Sequence, residues 1–222
     1  MKDIKILIAT HKKFHYPQSD LFLPVQVGRK IANIKLNIQG DDDGFNISEK
    51  NPYYCELTAL YWSWKNVKVD IVGLCHYRRY FNFSKRAITK SIYSIGLDEI
   101  NKTIPQEIKI RKILSQFDII LPKPIVYPYS LDIDYKIGQI REDLNILYDV
   151  IKEISPEYFN SAKKYLLYNN KLYHYNMFIS NNDFLNSYCK WLFKILFEVE
   201  KRIKFSPYPY QQRVFGFWAK DY

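Results

Sequence analysis

The stretch Asp70-Ile71-Val72-Gly73-Leu74-Cys75, followed at once by His76-Tyr77-Arg78-Arg79-Tyr80, decides the fold. A short apolar run that stops abruptly at polar and cationic residues reads as a buried strand whose end delivers them. Upstream, Tyr53 to Trp64 places Leu57, Leu60, Tyr61 and Trp64 at helical spacing, and Asn51-Pro52 supplies the start signal. A helix followed by a buried strand with a polar end is the βαβ logic that puts sites at the carboxyl edge of a sheet.

The rest of the chain fits around this unit. Ile4 to Ala9 is a second apolar run, ending at Thr10, His11 and Lys12, and reads as the first strand of an α/β sheet. Residues 21–27 are apolar but interrupted by Pro24, which predicts a loop or edge rather than a central strand. Further strands are expected near 117–121, before the proline-rich 122–130, and near 176–179. An amphipathic helix is expected from 137 to 154, and Pro156 opens the next segment. The longest helix should run near 183–203, with Phe184, Tyr188, Trp191, Leu192, Ile195, Leu196, Val199 and Ile203 on one face. Residues 82–112 read as a mobile or helical excursion and 208–222 as a lid or docking segment. The expectation is one α/β domain over 1–222 with a mixed, mostly parallel sheet flanked by helices.

Composition bounds the function. The chain has 222 residues, 47% hydrophobic and 25% charged, which suits a folded domain and excludes disorder as its main character. No apolar run is long enough to cross a bilayer, and Met1 leads straight into a strand-like run, so neither a signal peptide nor a membrane span is expected. Three widely spaced cysteines, Cys55, Cys75 and Cys189, without a CxxC pair, disfavour disulfides and structural zinc and suggest the cytoplasm. Thirty-three Lys and Arg against 23 Asp and Glu leave +10, which points to an anionic partner: nucleic acid, a phosphorylated small molecule or an acidic membrane.

No glycine-rich phosphate loop, GxSxG elbow or HExxH is present, which argues against dehydrogenases, P-loop enzymes, triad hydrolases and zinc enzymes. The densest signal is His76 to Arg79: two guanidinium groups beside an imidazole and tyrosine hydroxyls form a donor set suited to a diphosphate. Spacing alone is equally compatible with two surface arginines paired to local acids. Asp41-Asp42-Asp43 is suited either to a divalent cation or ribose, or to a solvated turn. Glu56 lies on a helix near Thr58 and Asn51, where a solvated side chain is the plain reading. His174 and Asn176 precede a strand, where side chains can meet a sugar.

The runs 6–14 (ILIATHKKF), 40–66, 72–81 (VGLCHYRRYF), 176–180 and 188–203 resemble a family of bacterial glycosyltransferases, long catalogued only as a domain of unknown function, from capsule, exopolysaccharide and lipopolysaccharide gene clusters. The resemblance covers nearly the whole chain, and its HYRRYF and NIS-KNPYYCELT stretches are specific. Where the family pattern is expected to read GDDTGDNIS, this chain has Asp43 in the Thr position and Phe45 in the second acidic position. Relatives are also expected to continue beyond Tyr222.

The resemblance implies a GT-A-like, Rossmann-type fold, with residues 1–125 as the nucleotide-sugar-binding half and 126–222 as the acceptor-side half. It implies a hexosyltransferase using a nucleotide-diphosphate hexose, a UDP-hexose such as UDP-galactofuranose, and a lipid-linked or oligosaccharide acceptor at the inner face of the cell membrane. The implied donor-binding residues are Thr10, His11, Lys12, Asp41, Asp42, Asn46, Ser48, Asn51, Glu56, His76, Tyr77, Arg78, Arg79 and Asn176. Where a GT-A fold normally carries a metal-binding Asp-x-Asp, this strand ends in His-Tyr-Arg-Arg, so cationic side chains are expected to replace the metal; Mn2+ or Mg2+ at Asp41 and Asp43 is the alternative. Asp143 is the first candidate for the base that deprotonates the acceptor, with Glu56 and His174 behind it. The rival readings are a basic nucleic-acid-binding module, disfavoured because charge is spread and no recognition motif appears, and an inactive scaffold of a polysaccharide-assembly complex.

Overall fold

The computed structural model describes residues 3–83, 101 and 105–204. Six strands form the main sheet: β1 (Ile4–Thr10), β2 (Phe22–Gln26), β3 (Gln39–Gly40), β4 (Ile71–His76), β5 (Ile119–Ile120) and β8 (Phe178–Asn181), in the order β3-β2-β1-β4-β8-β5. β1 to β4 are parallel, while β8 runs antiparallel to both neighbours. Between β5 and β8 in sequence, β6 (Ile125–Val126) and β7 (Lys171–Leu172) pair as a separate ribbon. The sheet is therefore the mixed, mostly parallel one expected.

Apolar runs arise because both faces of the sheet are covered. Along β1, Leu7 and Ala9 enter one core cluster while Ile6 and Ile8 enter the other; along β4, Val72 and Leu74 take the first side and Ile71 and Cys75 the second. Alternation is thus present in space but invisible in hydropathy. The first face is covered by α2 (Leu57–Asn66), α5 (Arg141–Ile154) and the long α7 (Asn182–Arg202), the second partly by α3 (Glu107–Leu114) through Ile110 and Leu114.

Several expectations are corrected. Residues 22–26 form a strand inside the sheet, not a loop. Leu21 O and Val27 N both turn toward β1, so the nitrogen of Pro24 faces the other way, where β3 reaches only Val25 and Gln26; the missing N–H costs nothing. The helix expected over 53–66 is two, α1 (Asn51–Tyr54) and α2, broken where Cys55 adopts φ 50. The helix expected over 137–154 is likewise α4 (Leu131–Gly138), capped by Ser130, and α5, separated by extended Gln139. A helix α6 (Pro156–Tyr168) follows. The strand expected at 176–179 starts at Phe178, because Tyr175 and Asn176 have φ 69 and 50. On α7 the buried residues are Leu185, Cys189, Phe193, Ile195, Leu196 and Val199; of the stripe expected, Ile195, Leu196 and Val199 are among them, Tyr188, Trp191, Leu192 and Ile203 pack partly buried against the same cluster, and Phe184 is exposed. The segment 208–222 and most of 82–104 lie outside the described residues.

Gly73 sits in close contact with both neighbouring strands. A Cβ there would meet Ile179 Cγ1 at 3.0 Å and Ile6 Cγ1 and Phe178 O at 3.1 Å. Gly73→Ala is expected to destabilise the fold by about 1–3 kcal/mol through overpacking, measured by urea unfolding; an unchanged midpoint would show that the β1–β4–β8 packing is looser than described.

Candidate active site

The parallel strands bring their carboxyl ends to one edge, at Thr10, Gln26, Gly40 and His76, and β8, running the other way, brings its beginning there. That edge collects most of the residues singled out in the sequence. At the end of β4 the chain turns back on itself: Arg79 N donates to His76 O (3.0 Å) and His76 N to Arg79 O (3.1 Å), so Tyr77 and Arg78 form the tip of a tight turn. Arg78 lies over the Tyr77 ring (5.0 Å), and Arg79 lies over the Tyr175 ring (3.9 Å). Stacking on an aromatic face orients a guanidinium while leaving its plane of N–H groups directed outward. From the end of β1, Lys12 also approaches Tyr77 (5.5 Å) and His11 meets it edge-on, while Thr10 Oγ1 donates to Lys12 O (2.7 Å).

Behind the arginines lies a polar cluster that spans the two halves of the sequence. Glu56, 7% exposed, accepts from Asn176 Nδ2 at 2.7 Å, and its Oε1 stands 4.0 Å from His76 Nε2. His76 Nε2 lies 2.7 Å from Tyr175 O. A carbonyl only accepts, so Nε2 carries a hydrogen and the ring's tautomer follows. Alongside, buried His174 meets Tyr127 Oη through Nε2 at 2.7 Å and packs on the Tyr175 ring. Among the described residues, the non-glycine positions with positive φ are Cys55, Tyr175 and Asn176, and all three flank the Glu56–Asn176 contact. Such backbone costs of order 1–3 kcal/mol each and persists where the surroundings hold it, most often at functional sites.

A second group organises the neighbouring loops. Asp41 is fully buried; its carboxylate accepts from Gly28 N (2.9 Å), Arg29 N (3.1 Å) and Ser48 Oγ (2.5 Å). Asn46 donates to the carbonyls of Asp42 (3.1 Å) and Gly44 (3.0 Å) and accepts from Ser48 N (3.2 Å). Asn51 donates to Cys55 O (2.8 Å) at the strained break before Glu56, and lies against Gly28, whose φ of 63 and lack of a side chain admit the contact. Asp42 meets Arg29 at 3.5 Å, and Asp43 accepts from Gln39 (3.0 Å) and from the Trp62 indole N–H. Asp41 and Asp43 thus face separate sets of protein donors, and no group of three or more His, Cys, Asp or Glu suited to a metal occurs among the described residues. The turn after β4 brings two guanidinium groups to this edge, next to the His76–Glu56 pair.

Asp143 lies apart from this cluster in the described contacts. It is buried in the first turn of α5 beside Tyr135, and burial, with a smaller push from Glu142, raises its carboxyl to about 6. Three residues of the edge went unrecognised in the sequence: Tyr175, Tyr127 and Arg29. Tyr175 stands beside the His174 and Asn176 already noted, whereas Tyr127 has no local signal, since it reaches His174 from 47 residues away.

The fold and this edge define an α/β protein of the Rossmann type whose carboxyl-edge site is built from arginine, histidine and aromatic side chains. The chain belongs to the family described as "Domain of unknown function (DUF4422)", whose model matches residues 5–221. A solved structure, the apo form of the WbbM bifunctional glycosyltransferase, is similar with a TM-score of 0.88 and 31% identity, covering 96% of this chain and 40% of that one. This chain therefore corresponds to less than half the length of that protein. No curated protein matches it.

The raised Asp143 carboxyl makes a prediction. Between about pH 4 and 6 the folded protein retains a proton that the unfolded chain has lost, so this group's contribution to stability falls as pH rises through that window. Asp143→Asn is expected to melt higher than the wild type at pH 7 and to lose that advantage at pH 4. An advantage that persists at pH 4 would assign the effect to packing rather than to charge.

Proposed function

We propose that this chain is a glycosyltransferase domain that moves a hexose from a nucleotide-diphosphate donor, a UDP-hexose such as UDP-galactofuranose, to a glycan acceptor in bacterial surface-polysaccharide synthesis. The observation that carries this reading is the ordered Arg79 guanidinium over Tyr175 at the end of β4, next to the Glu56–Asn176–His76 cluster. Similarity to a bifunctional glycosyltransferase over 96% of this chain supports it.

In the proposed reaction an acceptor hydroxyl attacks the anomeric carbon while the bond from that carbon to the phosphate oxygen breaks. The bonding pair leaves on the diphosphate, where negative charge develops, and Arg78 and Arg79 stabilise it. This uses fixed cations in place of a metal. The hydroxyl proton passes to a base, and Glu56 takes that role ahead of Asp143 and His174, because it is the carboxylate held by Asn176 next to His76 at the end of β4. Asn176 and His76 keep its side chain in one orientation. Thr10, His11, Lys12 and Tyr77 line the approach on the β1 side, while Asp41, Asp42, Asn46, Ser48 and Asn51 shape the loop expected to border the nucleotide.

The same reading has the enzyme act on a lipid-linked or oligosaccharide acceptor at the inner membrane face, as a peripheral protein drawn by its charge of +10. No helix among the described residues is long and apolar enough to cross a membrane.

UDP and UDP-hexoses are expected to raise the melting temperature, since a ligand that binds only the folded state stabilises it. Oligonucleotide binding with steep salt dependence and no response to UDP-sugars would favour the nucleic-acid rival instead. Arg78→Ala and Arg79→Ala should each lose about 2–4 kcal/mol of transition-state stabilisation, roughly 30- to 1000-fold in turnover. Wild-type turnover should survive EDTA. If EDTA abolishes it and manganese restores it, Asp41 and Asp43 become the phosphate-side residues. Glu56→Gln is expected to reduce turnover by about 100-fold or more while leaving the UDP-induced thermal shift intact; near-normal turnover would return the role of base to Asp143 or His174.

A further inference from the structure

We propose that the corner where α4, the end of α6 and the β6–β7 ribbon meet is the face that docks on an anionic lipid bilayer. The proposal deepens the membrane part of the reading above and rests on it.

Backbone contacts tie these segments into one body. Leu131 N donates to Asn169 O (2.9 Å), Tyr127 N donates to Asn170 O (2.8 Å), Val126 pairs with Lys171, and Tyr165 Oη donates to Lys171 O (2.8 Å). On this body large apolar side chains stand in solvent: Tyr168 is 81% exposed, Ile137 72% and Val126 57%, with Tyr129 and Ile133 about half exposed. Ile133 and Ile137 are four residues apart on α4 and share a face, opposite in kind to the buried Leu131 and Tyr135. Apolar side chains gathered in this way mark an interaction surface. Tyrosine suits a bilayer interface, its ring meeting the acyl boundary while its hydroxyl stays wet.

Charge selects the partner. Between Asp118 and Asp132 the chain carries Lys123, and α6 and β7 carry Lys163, Lys164 and Lys171 against Glu157 at the start of the helix. The acids on α4 are Asp132, which is buried against Lys136 (2.5 Å), and Asp134. Lysines around an apolar, tyrosine-bearing face complement anionic headgroups. A second copy would instead set the same lysines against each other across a two-fold contact. The corner also connects to the site: Tyr127, which bonds to Asn170 within it, meets His174 Nε2 at 2.7 Å. An acceptor anchored in the bilayer would then enter from the side on which His174 and Tyr175 lie.

The test is co-sedimentation with vesicles of phosphatidylcholine, with and without phosphatidylglycerol. The wild type is expected to bind the mixed vesicles far more than the neutral ones. Ile137→Asp and Tyr168→Asp, at exposed positions that should leave the melting temperature and the UDP-induced shift unchanged, should lower binding several-fold. A Lys163→Glu, Lys164→Glu double variant should lose the preference for phosphatidylglycerol. Mixed-vesicle binding that survives both aspartate variants overturns this face while leaving peripheral association standing. No binding by the wild type overturns both. A lipid-free dimer that Ile137→Asp dissociates would make the corner a protein interface and also overturn the proposal.

Discussion

All six residues of β4 are buried, with β1 on one side, β8 on the other and helices over the first face of the sheet. A strand so enclosed has no solvent-facing row on which to place polar groups, so its only route to chemistry is its end. His76 is the last residue of the strand and sits at the boundary, and the chain must then turn immediately because Phe81 returns to the second core cluster. The tight His76–Arg79 turn is the result, and it puts both arginines at the carboxyl edge whatever they bind. Parallel pairing with β1, Ala9 opposite His76, brings Thr10, His11 and Lys12 to the same place. Gly73 belongs to the same constraint, since the close approach of Ile6 and Ile179 that buries β4 leaves no room for a side chain there.

The site is assembled across the sheet at some cost in backbone strain. Cys55 in a positive-φ conformation ends α1 and re-aims the chain so that Glu56 heads α2, while Tyr175 and Asn176, also with positive φ, delay the start of β8 and turn an amide toward that carboxylate. The hydrogen bond between Asn176 and Glu56 joins residues 120 apart in sequence and lies where these distortions meet. Regular helix and strand through the same positions would carry the two side chains elsewhere. Loops on the β2 side are held differently, with buried Asp41 satisfying the amides of Gly28 and Arg29, which would otherwise be left without partners.

Cation placement follows the same economy. Arginine holds its charge at every relevant pH and arrives with its own hydrogen-bonding plane, so a stacked guanidinium presents charge and donors together in one orientation. The carboxylates that a metal would need are present nearby but turned to protein donors: Asp41 to two amides and a hydroxyl, Asp43 to an indole and an amide side chain.

Local pattern was enough to place β1 and β4 and the long C-terminal helix, because each is long or apolar enough to be read without its neighbours. It also pointed to the polar ends at Thr10–Lys12 and His76–Arg79, since a buried strand that stops at cations has few other meanings. What local pattern could not carry was anything decided by a partner far away. Pro24 looked like a strand breaker because only tertiary pairing shows that its nitrogen faces the open side of β2. The helices expected at 53–66 and 137–154 were split because hydropathy does not register a backbone reversal at Cys55 or an extended residue at Gln139. On α7 the expected stripe held for Ile195, Leu196 and Val199 but missed Leu185, Cys189 and Phe193, because the sheet beneath, not the helix, selects how far around the buried face extends. Glu56 was one helix-surface carboxylate among several until Asn176 and His76 were brought to it, a contact that only the folded chain makes. Sequence determined where the chain could bury itself; the crossing of β8 beside β4 decided which polar residues would then meet, because contacts between distant segments depend on how strands pair and not on what either segment prefers by itself.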